Sequence, residues 1–453
     1  MSNNRKIRAS ALALAVIGTL LAGQAMASGF QLREQSVKNL GRSSAGSMVG
    51  KDAAVVSLNP AAMVNLDKNT FQADLTVIDL NAKFTGGGSI LGNPAASLSG
   101  GNGGDPGDPT LVPNMAAVFP MHGALEGLTL GASVGAPFGL STNYDKNWVG
   151  RYRALESDVK TVDLTLSAAL KLSDGISIGA GVIWERGEAT LSKAIDFGTA
   201  ICAGSGNPLN CFNPSYPFKP QQLDGSLTVK GSDNGIGYVV GAQIVPSDSL
   251  AIGVSYRSEI KHELKGSLDF VGVPALLGAD PRFVDGPGGA RLVTPSVTTV
   301  SVKYAVAPNF RLLADYQYTG WDSLQDVTIK RASGTVVGSE PFHWSNTSFY
   351  SLGGEYDLSP AITLRAGIGF DKTPTHDAYR TPRLPDNDRT LYSIGASWNV
   401  SDNLSLDAGY QRIEIKSPTV ALGVDIASGN TSTLVGKFAG HADLFGVSMQ
   451  YRY

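Results

Sequence analysis

Phe445-Gly446-Val447-Ser448-Met449-Gln450-Tyr451-Arg452-Tyr453 ends the sequence. Large apolar or aromatic groups fall at Phe445, Val447, Met449, Tyr451 and Tyr453, with Gly446, Ser448, Gln450 and Arg452 between them. Successive side chains of a strand point to opposite faces, so this segment reads as a strand with one greasy side and one wet side. In a soluble sheet the greasy side would face a core. A strand of this length ending on an interfacial aromatic also suits an outer-membrane barrel. The rest of the sequence separates these readings.

At the other end, Arg5, Lys6 and Arg8 precede a mostly apolar stretch from Ala11 to Ala22, and Ala25-Met26-Ala27 follows as a small-x-small cleavage site. This reads as a secretory signal peptide over residues 1–27. Beyond it no apolar run approaches the roughly 18 to 20 residues a membrane-spanning helix needs, so any crossing must be made by strands. Removing the signal takes away three of the 36 basic residues against 39 acidic ones, which moves the formal net charge from -3 to -6. That mild acidity excludes nucleic acid as an expected partner.

Fifty-four glycines, fifteen tyrosines and 17% charged residues fit many short strands separated by turns, and no linker or helical periodicity divides the chain. Val162, Leu164, Leu166, Ala168, Leu170 and Leu172 alternate with smaller or polar residues up to Ser173-Asp174-Gly175. Ile176, Ile178, Ala180, Val182 and Trp184 then alternate on the way back, as a hairpin requires. The same pattern flanks Pro246-Ser247-Asp248-Ser249, Ala307-Pro308-Asn309, Ser359-Pro360 and Ser401-Asp402-Asn403. Between these tight turns lie long Gly/Pro-rich loops, from Gly86 to Pro113, Asp196 to Asp224 and Val271 to Gly289. Short turns alternating with long loops are the asymmetry of an outer-membrane barrel, which a soluble β-sandwich does not require. The expectation is an all-β, antiparallel transmembrane barrel of about fourteen strands over residues 68–453, an even number that leaves no open edge. Cys202 and Cys211, close together in an exported chain, are expected to form a loop disulfide. No further cysteine or nearby histidine completes a metal site, and no cofactor is expected.

Two segments depart from a plain barrel. Residues 28–67 carry Ala45, Met48, Val55, Val56, Leu58, Ala61, Ala62 and Met63 without clean alternation. A barrel of this size has a lumen to fill, and the segment's apolar content suggests a plug within it. Val134-Gly135-Ala136-Pro137-Phe138-Gly139 interrupts a strand that alternates through Leu128, Leu130 and Ala132. Proline cannot donate to a ladder, so this is either a break in the wall, tolerated only where other groups satisfy the backbone, or a strand end at the outer rim.

Ser28-Gly29-Phe30-Gln31-Leu32, Gly41-Arg42 and Asn59-Pro60-Ala61 resemble the N-terminal hatch of the FadL-type long-chain fatty-acid transporters, including its NPA motif. The resemblance continues through Trp148-Val149-Gly150-Arg151-Tyr152, Ala314-Asp315-Tyr316-Gln317-Tyr318-Thr319-Gly320-Trp321, Ser351-Leu352-Gly353-Gly354-Glu355-Tyr356, Leu384-Pro385-Asp386-Asn387-Asp388-Arg389 and Ala442-Asp443-Leu444-Phe445-Gly446. It implies a fourteen-stranded barrel, a hatch over residues 28–67 and a kinked third strand that opens the wall. It also implies passive uptake of a long-chain fatty acid or other hydrophobic small molecule and release to outer-membrane lipid.

On this resemblance the ligand-binding or gating residues are Phe30, Gln31 and Leu32 at a mobile N-terminus, Asn59, Pro60 and Ala61 in the hatch, and Gly135, Pro137 and Phe138 at the kink. Trp148 in an outer loop either lines a capture groove or packs internally. Lys193 stands where the family places a carboxylate-binding arginine, although a lysine lacks the bidentate fork. The family's second cation is unmatched, because Ser345 or Asn346 falls at its position. Alternatives are import of aromatic or other hydrocarbons by the same route, or a structural barrel or adhesin. An enzyme is not expected. Gly131-Ala132-Ser133-Val134-Gly135 fits G-x-S-x-G, but a nucleophile elbow needs a strand-to-helix turn, whereas Ser133 lies within or beside a strand. The Asp386–Arg389 charges read as solvated loop groups, and nothing in the sequence demands more than a monomer.

Overall fold

In a computed structural model that describes residues 29–426 and 429–453, the chain closes into a single antiparallel barrel. The signal sequence expected over residues 1–27 lies outside the described residues. Twenty strands, counted among the described residues, build the wall. The first seven are β1 (Thr70–Gly87), β2 (Thr110–Pro120), β3 (Leu128–Gly135), β4 (Gly139–Asn143), β5 (Glu156–Ser173), β6 (Ile176–Asp196) and β7 (Asp224–Ser247). Next come β8 (Leu250–Arg257), β9 (Ile260–Val271), β10 (Gly286–Thr294), β11 (Val297–Ala307), β12 (Phe310–Thr319), β13 (Asp326–Arg331) and β14 (Val336–Pro341). The last are β15 (Thr347–Ser359), β16 (Ile362–Asp371), β17 (Arg389–Asn399), β18 (Leu404–Ile415), β19 (Thr419–Leu422) and β20 (Leu434–Arg452). Breaks between β3 and β4, β8 and β9, β10 and β11, β12 and β13, β14 and β15, and β18 and β19 reduce them to fourteen staves. The terminal strand closes the ring, with β1 beside β20 from Thr70 opposite Arg452 to Gly87 opposite Val435.

The alternation is inside out relative to a soluble protein. Phe445, Val447, Met449 and Tyr451 of β20 are exposed on the outside, while Ser448 and Gln450 are buried on the inside. Outward aromatics gather in pairs across neighbouring strands: Tyr316 with Tyr350 at 5.2 Å between ring centroids, and Tyr410 with Phe445 at 4.9 Å. Exposed apolar side chains on every sector of a closed wall require lipid around them, with amphipathic rings toward the headgroups.

The inner face changes character along its height. On β1 the buried side chains run Gln72, Asp74, Thr76 and then Ile78, Leu80, Ala82, Phe84. On β20 they run Gln450, Ser448 and then Leu444, Ala442, Phe438. The half nearer the short turns is therefore polar, and the half nearer the long loops is apolar.

Residues 29–67 meet that polar half on many sides. Helices α1 (Val37–Leu40) and α2 (Val55–Leu58) and two 3-10 turns carry the segment past the wall. Asp74 of β1 accepts from Val37 N at 2.9 Å, and Gln72 from Ala53 N at 2.8 Å. Across the ring, Ser301 of β11 accepts from Met48 N at 3.0 Å, and Glu355 of β15 pairs with Arg42 at 2.6 Å. Ser177 of β6 donates to the Ala61 carbonyl at 2.9 Å. A side chain at Gly367 of β16 would meet the Arg42 carbonyl carbon and oxygen at 2.4 Å, so the wall needs glycine there to let the segment's backbone approach. Polar wall groups thus become partners for a backbone that a ladder does not satisfy.

Candidate functional site

The third stave decides the site. β3 stops at Gly135 and β4 resumes at Gly139, still paired with β5 from Gly139 opposite Lys160 to Asn143 opposite Glu156. The interruption is therefore a break within the stave and not its end. On the other side, β2 pairs with β3 only from Met115 to Pro120, and its outer residues Thr110 to Asn114 have ladder partners in β1 alone. Between those residues and β4 the wall has no ladder.

The backbone freed by this break is satisfied by the N-terminal segment. Gly139 N donates to the Phe30 carbonyl and Leu32 N to the Pro137 carbonyl, both at 2.7 Å, with Gln31 opposite Phe138 in an antiparallel bridge. Gln35 Nε2 donates to the Ala136 carbonyl at 2.9 Å, and Asn114 Nδ2 to the Gln35 carbonyl at 2.7 Å. Phe138 keeps β5 as its other partner, its N–H reaching Thr161 Oγ1 at 3.2 Å. Gly135 admits this arrangement, because a Cβ there would lie 2.6 Å from the side-chain oxygens of both Asn114 and Gln35. Residues 30–32 therefore act as a short surrogate strand along an edge that would otherwise be open inside a membrane.

Above that bridge Phe30 is buried in an aromatic nest, 4.8 Å from Trp321, 5.8 Å from Trp344 and 6.0 Å from Phe138 between ring centroids. Gly29, at φ +61, lies against Trp321, where a Cβ would come within 2.7 Å of the indole. Its N–H donates to Asp386 Oδ2 at 3.1 Å. Gln31 Oε1 accepts from Gln317 Nε2 at 2.8 Å.

Two cavities flank the nest. The outer one encloses about 1220 Å³ counted to its mouth, with Phe30, Leu140, Val159, Leu264, Leu292 and Trp344 among its walls. The inner one, about 820 Å³, is bounded by Leu32, Gln35, Gly135, Pro137, Phe138 and Asp163. Phe30 lines the first and Phe138 the second, so residues 30–32 divide the lumen at the height of the break. The outer cavity shares the largely apolar lining of ordinary small-molecule sites.

Lys193, near the outer end of β6, faces the outer cavity, where Asn430 Oδ1 at 3.4 Å is its hydrogen-bond partner. A second cation reaches this cavity from another part of the chain. Arg383, between β16 and β17, reaches the same cavity and is fixed through Nη1 to the Glu156 and Ser192 carbonyls and to Ser157 Oγ, at 3.1 to 3.2 Å. Tyr144 holds that loop by donating to the Pro382 carbonyl at 2.6 Å, and burial raises its phenol well above the ordinary value, which keeps it a donor. The sequence signal for Arg383 is its position directly before the matched Leu384-Pro385-Asp386-Asn387-Asp388-Arg389.

Other expected residues lie elsewhere. Trp148 lines neither cavity. It is fully buried among the outer loops, stacked 4.2 Å from Tyr144, with its indole N–H 2.7 Å from the Ala154 carbonyl. Asn59, Pro60 and Ala61 also stand away from both cavities. Asn59 caps its turn at the Ala61 N–H and donates to the Met48 and Ala242 carbonyls, tying the segment to β7. The reading of the 386–389 charges as solvated is corrected at Asp386 and Arg389, which are buried and ion-paired, with Thr373 and Gly29 also donating to Asp386. Cys202 and Cys211 are bonded in the β6–β7 loop, with Cα atoms 5.0 Å apart. Ser133 lies mid-ladder opposite Thr165, not at a strand-to-helix turn.

A fourteen-stave barrel with an apolar belt and a lumenal segment defines an outer-membrane protein built to pass something through its wall or lumen. The family described as "Outer membrane protein transport protein (OMPP1/FadL/TodX)" matches residues 18–453, and the chain belongs to it. Outer membrane protein P1 of Haemophilus influenzae is 27% identical over 475 residues, covering 99% of this chain and 100% of that one. A long-chain fatty acid transport protein of Escherichia coli is 27% identical over 480 residues, covering all of both. The crystal structure of a Pseudomonas aeruginosa FadL homologue superposes with a TM-score of 0.85 at 28% identity, covering 94% of this chain and 99% of that one. The Ralstonia pickettii toluene transporter TbuX shares the fold, with a TM-score of 0.62 at 20% identity, covering 92% and 100%. The protein is an outer-membrane β-barrel of a family of transporters and channels, not of enzymes.

Proposed function

We propose that this protein takes up long-chain fatty acids passively, with residues 28–67 acting as a hatch and 68–453 as the barrel. The observation that carries the reading is the double engagement of residues 30–32. Their side chains separate two cavities, and their backbone seals the broken stave. Withdrawal of these few residues joins the outer cavity to the inner one and uncovers the edge between β2 and β4, through which a ligand leaves sideways into outer-membrane lipid.

Capture needs no energy source. Moving an acyl chain from water into an apolar cavity gains roughly 0.8 kcal/mol per methylene, and the membrane offers a similar gain on the far side. The inner face supports this route, because it is apolar where the ligand enters and polar where the hatch is anchored. Lys193 and Arg383 supply charge for a carboxylate head, and the Escherichia coli relative's name points the same way. The barrel closes on itself, so a monomer suffices.

A second reading, import of aromatic hydrocarbons, is favoured by the ring cluster of Phe30, Trp321, Trp344 and Phe342 and by the name of the Ralstonia relative. Uptake of labelled oleate and of toluene, in an outer-membrane strain lacking its own hydrophobic importer, separates them. Oleate uptake that depends on this protein is the expected result. A response to toluene alone transfers the assignment to hydrocarbons, and a response to neither, with the barrel inserted, overturns transport.

A further inference from the structure

Resting on that reading, the geometry around Arg383 points to a further specificity device: we propose that Glu340 is a resident carboxylate that holds the headgroup position and that an anionic ligand must displace. Glu340 lies in β14, on the hairpin with β13 that forms one side of the outer cavity, and lines that cavity with Lys193 and Arg383. Arg383 Nη1 is held by three oxygens, so the guanidinium is fixed in place. Its Nε reaches Glu340 Oε1 only at 3.5 Å, the longest of its contacts. Its Nη2 has no hydrogen-bond partner among the described residues, although the side chain is only 8% exposed.

Lys193 is also incompletely satisfied. A lysine ammonium has three donors. Here a single contact is made, to Asn430 Oδ1 at 3.4 Å, and no carboxylate of the described residues lies within 4.0 Å of it. Arg153, from the loop between β4 and β5, adds a third cation within electrostatic reach of Glu340. Lys193, Arg383 and Arg153 thus surround the loosely held Glu340 beside a largely apolar cavity, with Asp425 also within electrostatic reach of Arg153.

The Nε and Nη2 edge of this guanidinium faces the cavity, and a carboxylate pairs with such an edge best in a two-pronged contact. Glu340 makes only one contact with Arg383, from a hairpin whose ladder to β10 extends over Gly288 to Ala290 alone. A ligand carboxylate that fills the fork must push the Glu340 carboxylate away or suffer its repulsion. A neutral ligand of the same length meets no such competitor. Glu340 therefore narrows the preference for acids that Lys193 and Arg383 alone would impose, and admits uncharged chains to the same cavity.

The test uses the full-length protein in lipid nanodiscs, titrated with cis-parinaric acid and with its methyl ester while fluorescence is read. E340Q keeps the shape and removes the charge. The expected result is that E340Q binds the acid about fivefold tighter or more, the change a single like charge makes at close range, while ester binding is unchanged. E340S, which also removes the contact to Arg383, is expected to act in the same direction. Weaker acid binding in both variants would mean that Glu340 only orders Arg383, and an equal change for acid and ester would mean a packing effect. Either result overturns the proposal while leaving transport standing. Failure of the wild-type protein to bind either probe would count against the transport reading itself and against the proposal with it.

Discussion

On the proposed route, Phe30 and Glu34 set the balance between a seated and a released N-terminus. Phe30 loses its aromatic nest in F30A, and truncating a buried phenylalanine costs about 3 to 5 kcal/mol when the site cannot collapse. Faster hydrogen exchange at residues 30–35 and a higher passive leak of a small hydrophobic dye are expected, in a barrel whose melting is unchanged. Glu34 is buried, with Oε2 unpartnered. Burial raises its carboxyl above the ordinary value, against the pull of Arg33 and Arg389. A raised carboxyl favours the seated state most below the unfolded value of about 4.3, and that contribution is lost as pH rises through the folded value. Exchange protection of residues 30–35 is therefore expected to fall as pH rises from acid toward neutral, and to fall less in E34Q. An identical pH profile in the two proteins would exclude Glu34 as the cause. At this scale Phe30 and Pro137 stood out in the sequence because they lie in matched motifs, and Lys193 only because it stands where the family has an arginine. Arg383 and the buried ion pair of Asp386 with Arg389 were hidden, since a polar loop reads the same whether it lies in water or folds inward over a lumen.

On the proposed route, the broken stave is the element on which transport turns. Its sequence mark, proline flanked by glycines after a clean alternation, was legible because period-two patterning fails there visibly. What covers the break was not legible, because the covering strand is distant in sequence and pairs through backbone atoms that carry no residue signature. Deleting Ala136 to Phe138 should fuse β3 and β4 into one ladder and leave residues 30–32 without an edge to pair with. The expected outcome is loss of uptake with the barrel still assembled, checked by its heat-dependent gel migration. Undiminished uptake would exclude the break as the exit. The loop disulfide belongs to a different element and should act only there. Closing a loop of this length is worth about 2 to 3 kcal/mol. C202S/C211S is thus expected to be cleaved faster within residues 197–223, with no change in barrel melting.

Across the whole molecule, a single alternation performs two tasks. Its outward half meets lipid throughout. Its inward half is polar where the N-terminal segment is bonded and apolar where the outer cavity lies, as the run from Gln72 through Thr76 to Ile78 and Leu80 illustrates. The alternation was readable from Phe445 to Tyr453 alone, but only the turn asymmetry and the absence of a spanning apolar run turned its greasy half outward and predicted the barrel. The inward switch from polar to apolar is written in the same strands, but its meaning depends on knowing that a second segment fills the lower lumen. The outer extensions of the wall, such as β9 and the β13–β14 hairpin, were hidden because beyond the membrane both faces carry polar groups and the alternation weakens.

On the proposed route, residues 30–32 must leave β4 and the kink for a ligand to pass. Gln31 and Phe138 face each other in an antiparallel bridge flanked by its two hydrogen bonds, a position where Cα atoms lie about 4.5 Å apart and a disulfide can form. Oleate uptake by Q31C/F138C, measured oxidised and then reduced, with the wild-type protein as a control for the reductant, tests this directly. Uptake is expected to be lost when the pair is oxidised and to return on reduction. Uptake that continues in the locked protein would contradict it.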